Sequence, residues 1–522
     1  LKTLVSWRAL EESRRHQYWR AALVGLGAGG VALLFQQMLV LAEEFHLHTL
    51  ARLQETTGSW GWLIVALTTG AIGAFTGWLT ARFAPEAAGS GIPHIKGVLA
   101  HANTLTWKRL LPVKFIGGIL SIGSGFSLGR EGPTVQMGAA VAKLIAERLK
   151  VPPKATPRLI ACGAGAGLAA AFHAPLAGFI FTVEELQREF SSLTYAMALI
   201  AAVVADIVAT SIWGSGNAFH AEGFPVLPLT ALPVCIALGL LAGLAGTVFN
   251  KGTLKMQALV RERVKLPAWQ RAGLIGIVVG ITAWHLPELI GGGHATAESI
   301  LHGTDPAISS LGFLLVIFVG KILLTMLCYM AGVPGGIFAP MLLMGASLGL
   351  MFGIVTSSVF PEVVPIPSSL AAVGMAAFFA AVVRAPLTGI VLVLQMTGDW
   401  DQLLALLTAA MVAYLISEKF KTEPIYEALL SADLRQTERE APVHREPVLL
   451  EFLVQEGSSM DGKVIKDLAL PARCLFVTIT RQGNDILPSG DTTLHRGDHI
   501  TAVLSGADPS SSVIRLLAQS KA

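Results

Sequence analysis

The stretch Gly129-Arg130-Glu131-Gly132-Pro133 sets an acid between two apolar runs of helical length, residues 110–128 and 134–145. At the centre of a membrane-spanning helix a charged side chain costs roughly 3 kcal/mol even on lenient insertion scales, so a buried Glu131 needs an offset. The neighbouring residues supply one. Gly129 and Gly132 allow backbone to approach closely, and Pro133 suits a first helical turn, where its missing N–H costs nothing. Glu131 then stands at a helix N-terminus, whose free N–H groups and dipole of about half a positive charge attract an anion. A carboxylate and a small anion would compete for that place; the plain alternative is that Glu131 only caps the helix.

Composition supplies the context. Of 522 residues 53% are hydrophobic and 14% charged, and the mean hydropathy is +0.62, which is too apolar for an ordinary soluble enzyme and reads as an all-α polytopic membrane protein. A net charge of +3 points to neither nucleic acid nor an acidic partner. Cys162, Cys235, Cys328 and Cys474 lie far apart, so no metal cluster or disulfide framework is expected. The 54 glycines favour close helix packing and interrupted helices.

The chain opens on Leu1, as a sequence starting inside a longer protein would. Residues 1–20 read as a cytoplasmic amphipathic helix, residues 21–42 and 60–79 as the first spans, with arginines before the first and Arg82 after the second placing both ends inside. Residues 89–100 are too short to cross a bilayer and predict a half-helix. Its Ser90 either caps that helix or offers a hydroxyl to a dehydrated anion. His94 and Lys96 are assigned to an aqueous face. Lys114 lies deep in an apolar run, where it snorkels or adds positive potential to an anion path. Small residues from Gly163 predict a tightly packed helix that joins a second short helix at His173-Ala174-Pro175. The second helix ends on Glu184 and Glu185, which are solvated interfacial carboxylates or, if they face the bundle, a place to pass protons toward Glu131.

A second round of the same pattern follows. Further spans are read at residues 192–208, 232–249, 273–284 and 311–329, and Gly291-Gly292-Gly293-His294 resembles the segment at Gly89. The loop and helix at Gly332 to Gly345 stand where Gly129 to Gly138 stood. Arg384-Ala385-Pro386-Leu387 lines up with His173-Ala174-Pro175-Leu176, and Glu184 and Glu185 align with Gln395 and Met396. Two halves, about residues 21–211 and 231–417, are built alike, and broken helices in matching places locate a substrate between them.

Gly-Ser-Gly-Ile-Pro from Gly89, Gly-Arg-Glu-Gly-Pro from Gly129 and Gly-Gly-Ile-Phe-Ala-Pro from Gly335 resemble, in order, the three signature segments of the CLC chloride channels and transporters. The resemblance runs from about Trp7 to Leu434, with the membrane domain bounded at residues 21–434. It implies an inverted-repeat bundle of tilted and re-entrant helices, a homodimer in the bilayer and one pathway per subunit. Chloride would be held by Ser90, by backbone N–H groups at Ile337 and Phe338, and by the hydroxyl of Tyr426, which without the family reads as an interfacial belt tyrosine. The resemblance makes Glu131 the gate, flanked by Gly129 and Arg130, and Glu185 the internal proton-transfer position, so it implies a proton/chloride exchanger; a passive chloride channel is the alternative. Serine at position 90 suits chloride, where proline would suit nitrate.

Residues 435–447 read as a charged, proline-bearing linker. Beyond it, residues 448–454, 475–480 and 499–504 have strand patterning, with turns at Gly483, Gly490 and Gly497. This small β-rich domain, residues 448–522, resembles the C-terminal subdomain of regulator-of-potassium-conductance proteins through Gly457 to Gly462, Arg481-Gln482-Gly483, Ile486 to Gly490 and Arg496-Gly497-Asp498. It is a sensor for a small ligand or an assembly module. No cofactor is expected, and no spaced metal ligands, nucleophile with paired base or phosphate loop suggest an enzyme. A prokaryotic plasma membrane with both termini cytoplasmic completes the expectation.

Overall fold

The computed structural model describes residues 2–187, 192–214, 219, 227–303, 310–440, 445–471, 474–481, 484–506 and 520. The expected turn at Gly483 and residues 441–444 of the expected linker lie outside them. Contacts divide the chain into two units, residues 1–95 with 105–426, and residues 96–104 with 427–522.

The first unit is helical. Its first half holds α1 (Lys2–Thr57), α2 (Gly61–Phe83), α3 (Ile92–Leu99), α4 (Trp107–Gly123), α5 (Glu131–Arg148), α6 (Thr156–Phe172), α7 (Pro175–Phe181) and α8 (Ser192–Trp213). The second holds α9 (Leu232–Arg263), α10 (Ala268–His285), α11 (His294–His302), α12 (Leu311–Tyr329), α13 (Phe338–Val359), α14 (Ser369–Val383), α15 (Pro386–Thr397) and α16 (Leu403–Lys419), before α17 (Ile425–Glu440). Among the described residues, seven helices are long and apolar enough to cross a membrane. At about 1.5 Å per residue, α3, α7 and α11 fall far short of a hydrocarbon core about 30 Å thick.

Each helix of one half has its counterpart in the other. α1 packs on α8 as α9 packs on α16, and α5 packs on α6 as α13 packs on α14; α2 with α10 and α7 with α15 join the halves. Glycine makes the α5–α6 approach possible, since a Cβ at Gly138 would lie 2.2 Å from Gly163 O. The counterpart contact repeats it, with a Cβ at Gly345 only 2.6 Å from Gly374 O. Dispersion contacts between such close backbones replace the hydrophobic effect that lipid does not provide. The two halves also stop a helix in the same way: His173 (φ 52°) and Arg384 (φ 68°) are left-handed caps, each two residues ahead of the proline that opens the next helix.

Three boundaries differ from expectation. α1 runs unbroken from Lys2 to Thr57, with no break at residue 20, because nothing between the polar start and the apolar run disfavours helix. The run at residues 110–128 is helical only to Gly123; its remainder leaves the helix because Gly129 exchanges backbone hydrogen bonds with Gly336 of the other half, N to O 2.6 Å and 2.8 Å. The expected linker is helical as far as Glu440, and the first strand starts at Arg445.

In the second unit, β1 (Arg445–Leu453), β2 (Cys474–Arg481), β3 (Asn484–Ile486) and β4 (His499–Gly506) form an antiparallel sheet in the order β1-β4-β2-β3. The sequence pattern anticipated β1, β2 and β4; β3 is too short to show a period. Phe452 and Phe476 meet edge to face over the core, with ring centroids 6.0 Å apart. Arg481 grips Asp498 with two hydrogen bonds of 2.8 Å and also donates to Thr493 O. Burial works against the charge on Asp498, but the bonds from Arg481 and the His495 N–H outweigh it and hold its carboxyl below the usual value. In the same unit Lys96, 9% exposed, pairs with Glu427 at 3.6 Å, which corrects its assignment to an aqueous face. His94 is half-buried with Nδ1 3.2 Å from Gln136 Nε2, so it too faces protein.

Candidate functional site

Three interrupted segments converge where the halves meet. Gly89 N donates to Val333 O (3.0 Å) and Gly335 N to Gly89 O (3.0 Å), beside the Gly129–Gly336 exchange. Glycine is required at these crossings: a Cβ at Gly132 would lie 2.5 Å from Ser90 Oγ, and one at Gly129 would lie 2.4 Å from Glu131 Oε2. The loops are thereby pressed together around the starts of α5 and α13.

Glu131 is fully buried there. One carboxylate oxygen, Oε2, accepts from the Ala339 N–H in the first turn of α13 (3.3 Å), and the other, Oε1, lies 3.1 Å from His294 Nε2. Arg130 Nε stands 4.0 Å from Oε1. The carboxylate therefore occupies an anion position at a helix N-terminus of the other half, reached across the interface, which a simple cap of α5 would not do. Ile337 and Phe338, at that same N-terminus, are buried.

The hydroxyls of Ser90 and Tyr426 are both buried, face each other, and make no hydrogen bond of ordinary length among the described residues. Two buried hydroxyls without a hydrogen bond of ordinary length are costly unless a further group uses them. Tyr426 is 0% exposed, so it is no belt tyrosine, and it stands within electrostatic reach of both Glu131 and Glu185.

Glu184 and Glu185 sit on a π-helical turn, Thr182–Gln187, that continues α7. Neither is a solvated interfacial carboxylate. Glu185 is 1% exposed. Glu184 accepts from the N–H groups of Leu387 (3.1 Å) and Thr388 (2.7 Å) and from Thr388 Oγ1 (2.7 Å), capping α15. Its counterpart Gln395 returns the contact by accepting from Ala177 N–H of α7 at 2.8 Å.

Lys114 is fully buried, so it does not snorkel; its ammonium donates to Ala87 O (2.9 Å) and Gly89 O (2.7 Å), the carbonyls of the loop that carries Ser90. Sequence reasoning missed its partner in the second half. Lys321 donates to Leu289 O (3.0 Å) and Gly291 O (2.7 Å) of the loop before α11. One lysine at the same place in two aligned apolar runs was the available signal. His294 was also missed as a neighbour of Glu131, although its segment had been aligned with that of Gly89.

A sequence profile of voltage gated chloride channels matches residues 72–418. The chain belongs to the voltage gated chloride channel family. Within this family it is 40% identical, over 426 residues, to the H(+)/Cl(-) exchange transporter ClcA of Vibrio cholerae serotype O1, covering 79% of this chain and 88% of that protein. It is 35% identical over 438 residues to the ClcA exchange transporter of Yersinia pseudotuberculosis serotype IB, covering 82% and 90%. The crystal structure of a slow cyanobacterial Cl-/H+ antiporter superposes with a TM-score of 0.77 at 35% identity, covering 81% of this chain and 99% of that one. A CLC-type fluoride/proton antiporter has the same fold, with a TM-score of 0.66 at 24% identity over 79% and 97%. Residues 449–508 match a TrkA-C domain profile. Membership in the family together with the apolar helices makes the chain a multi-pass integral membrane protein.

Proposed function

We propose that this protein exchanges chloride for protons across a membrane, with Glu131 as a gate that competes with the anion. The single observation that carries the reading is the buried Glu131 carboxylate seated at the N-terminus of α13, where it accepts from Ala339 N–H. An ionised Glu131 claims that electropositive place; a protonated one has no charge to hold it there and yields to chloride. Ser90 and Tyr426 hydroxyls and the N–H groups of Ile337 and Phe338 take the anion, and the orphaned state of both hydroxyls fits that use. Glu185, buried and within electrostatic reach of Tyr426, passes protons by a route that chloride does not share. The exchange activity named for the Vibrio and Yersinia relatives and for the cyanobacterial neighbour supports coupling over passive conduction.

In this reading the chain works as a homodimer with one pathway per subunit, in a prokaryotic plasma membrane with both termini cytoplasmic. The C-terminal domain regulates or assembles it, and chloride and protons are the only small partners the transport cycle needs. The test is flux from reconstituted vesicles: an exchanger drives protons uphill when chloride runs down its gradient, and a channel does not. Glu131→Gln loses proton movement, and Glu185→Val loses it while chloride still passes. Pumping that survives in either variant contradicts the role given to that residue.

A further inference from the structure

The loops before α3 and α11 are counterparts: Gly89-Ser90-Gly91-Ile92 aligns with Gly291-Gly292-Gly293-His294, and each is tied by a buried lysine to equivalent carbonyls. The first loop contributes its polar side chain at Ser90, where the second has glycine. The second contributes one at His294, where the first has Ile92. The repeat thus delivers two polar side chains to the pathway from different places on one scaffold, and only one of them has been given a use above.

We propose that His294 is a positioning residue for the gate: it holds the Glu131 carboxylate at the α13 N-terminus and so sets the pH at which the gate releases. The hold is two-point, Ala339 N–H on Oε2 and His294 Nε2 on Oε1, at 3.3 and 3.1 Å. An ionised Glu131 accepts from Nε2–H as a charged group; once Glu131 is protonated the same contact joins two neutral groups and holds the side chain less firmly. His294 is 28% exposed where Glu131 is 0%, so it is the less enclosed member of the pair. It is fixed from behind. Phe172 and Phe219 pack on its ring with centroids 6.1 and 6.0 Å away, and the charged groups acting on it are Arg130, Glu131 and Lys321, with Glu43 of α1 acting in turn on all three.

This inference rests on Glu131 being the gate, and the experiment separates the two. Full-length protein is reconstituted in vesicles, and chloride-driven proton transport is measured against the pH on the side of the gate for wild type, His294→Ala, His294→Gln and Glu131→Gln. Loss of one hydrogen bond to a charged group moves the His294→Ala activation midpoint about one pH unit toward neutral, because the ionised gate is held less firmly. Glutamine donates a hydrogen bond without titrating, so His294→Gln returns the midpoint most of the way to wild type. Superimposable profiles for wild type, Ala and Gln overturn the proposal while leaving the gate intact, provided Glu131→Gln is uncoupled. A Glu131→Gln protein that still pumps overturns the gate and the proposal with it. Should His294→Ala fail to fold, the glutamine variant decides: a shift of a full unit in its midpoint refutes a holding role.

Discussion

Replacing Glu184 with alanine should destabilise the membrane domain about three times as much as replacing its counterpart Gln395. Glu184 accepts three hydrogen bonds at the start of α15, from Leu387 N–H, Thr388 N–H and Thr388 Oγ1, two of them 2.7 Å long. Hydrogen bonds to charged groups contribute about 1.5–3 kcal/mol each in net terms and are not additive within one cluster, so about 3 kcal/mol is the expected loss for a half-buried carboxylate. Gln395 makes one neutral bond, to Ala177 N–H at 2.8 Å, whose loss costs about 1 kcal/mol. Glu184→Gln keeps the shape without the charge and falls between. Heating curves of purified protein in detergent, followed by the fraction surviving as monodisperse material, rank the four proteins. Equal midpoints for Glu184→Ala and Gln395→Ala would show that charge contributes nothing to this cap. A Glu184→Ala protein as stable as wild type, with proton flux lost, would make Glu184 a proton carrier instead of a cap.

Three other outcomes follow from the same geometry. Lys114→Met strands Ala87 O in the interior at about 1–3 kcal/mol and takes one of two donors from Gly89 O, which keeps Gly335 N–H; it loosens the Ser90 loop, so chloride affinity measured by calorimetry falls along with the thermal midpoint. Gly138→Ala and Gly345→Ala force apart α5–α6 and α13–α14 respectively at about 1–3 kcal/mol each, visible as lower heating midpoints of similar size, since both glycines face a carbonyl of the partner helix. In the C-terminal domain, the protection of β1–β4 amides in the full chain, measured by hydrogen exchange and corrected for the intrinsic pH-dependent rate, should be constant near neutral pH and fall only in acid. Asp498 is held below its ordinary value of 3.8, so its contribution is complete above that value and is lost as pH falls through the lower folded value; Arg481→Met abolishes that acid step.

The fold was legible because lipid leaves few solutions. Segments such as residues 89–100 are apolar yet too short to cross, glycine and proline mark where each breaks, and the same breaks recur in the second half, which is enough to point to the junction of the halves. The site was legible only where a motif carried it. The Ser90 loop, Glu131 and the start of α13 that carries Ile337 and Phe338 lie together, and Glu185 is buried, but the partners of these residues come from elsewhere in the chain. Ala339 and His294 reach Glu131 from the other half, and which residue lies opposite another is a matter of packing that no local pattern records. Glu184 and Glu185 show the limit most plainly. Adjacent acids at a helix end look alike in sequence, yet the π-helical turn sends one to the N-terminus of α15 and buries the other.

The halves are joined by contacts that return upon themselves. Gly129 and Gly336 exchange hydrogen bonds with each other, and Glu184 caps α15 while Gln395 caps α7. Such reciprocity is what a local two-fold produces when counterpart residues meet. The offset that carries Gly129 to Gly336 also carries Glu131 to Phe338, so the first residue of α5 is an acid and the first residue of α13 is not. Symmetry in the backbone creates two equivalent electropositive helix ends facing one space. A carboxylate on only one of them gives that space a built-in anion that can be neutralised by one proton, and the opposite end, having none, is left to receive it. A symmetric pair of acids would repel each other there, and a symmetric pair of phenylalanines would leave nothing for a proton to switch. The proposed exchange therefore depends on the places where the repeat is broken: Glu131 against Phe338, Ser90 against Gly292, Ile92 against His294, and Glu185 against Met396.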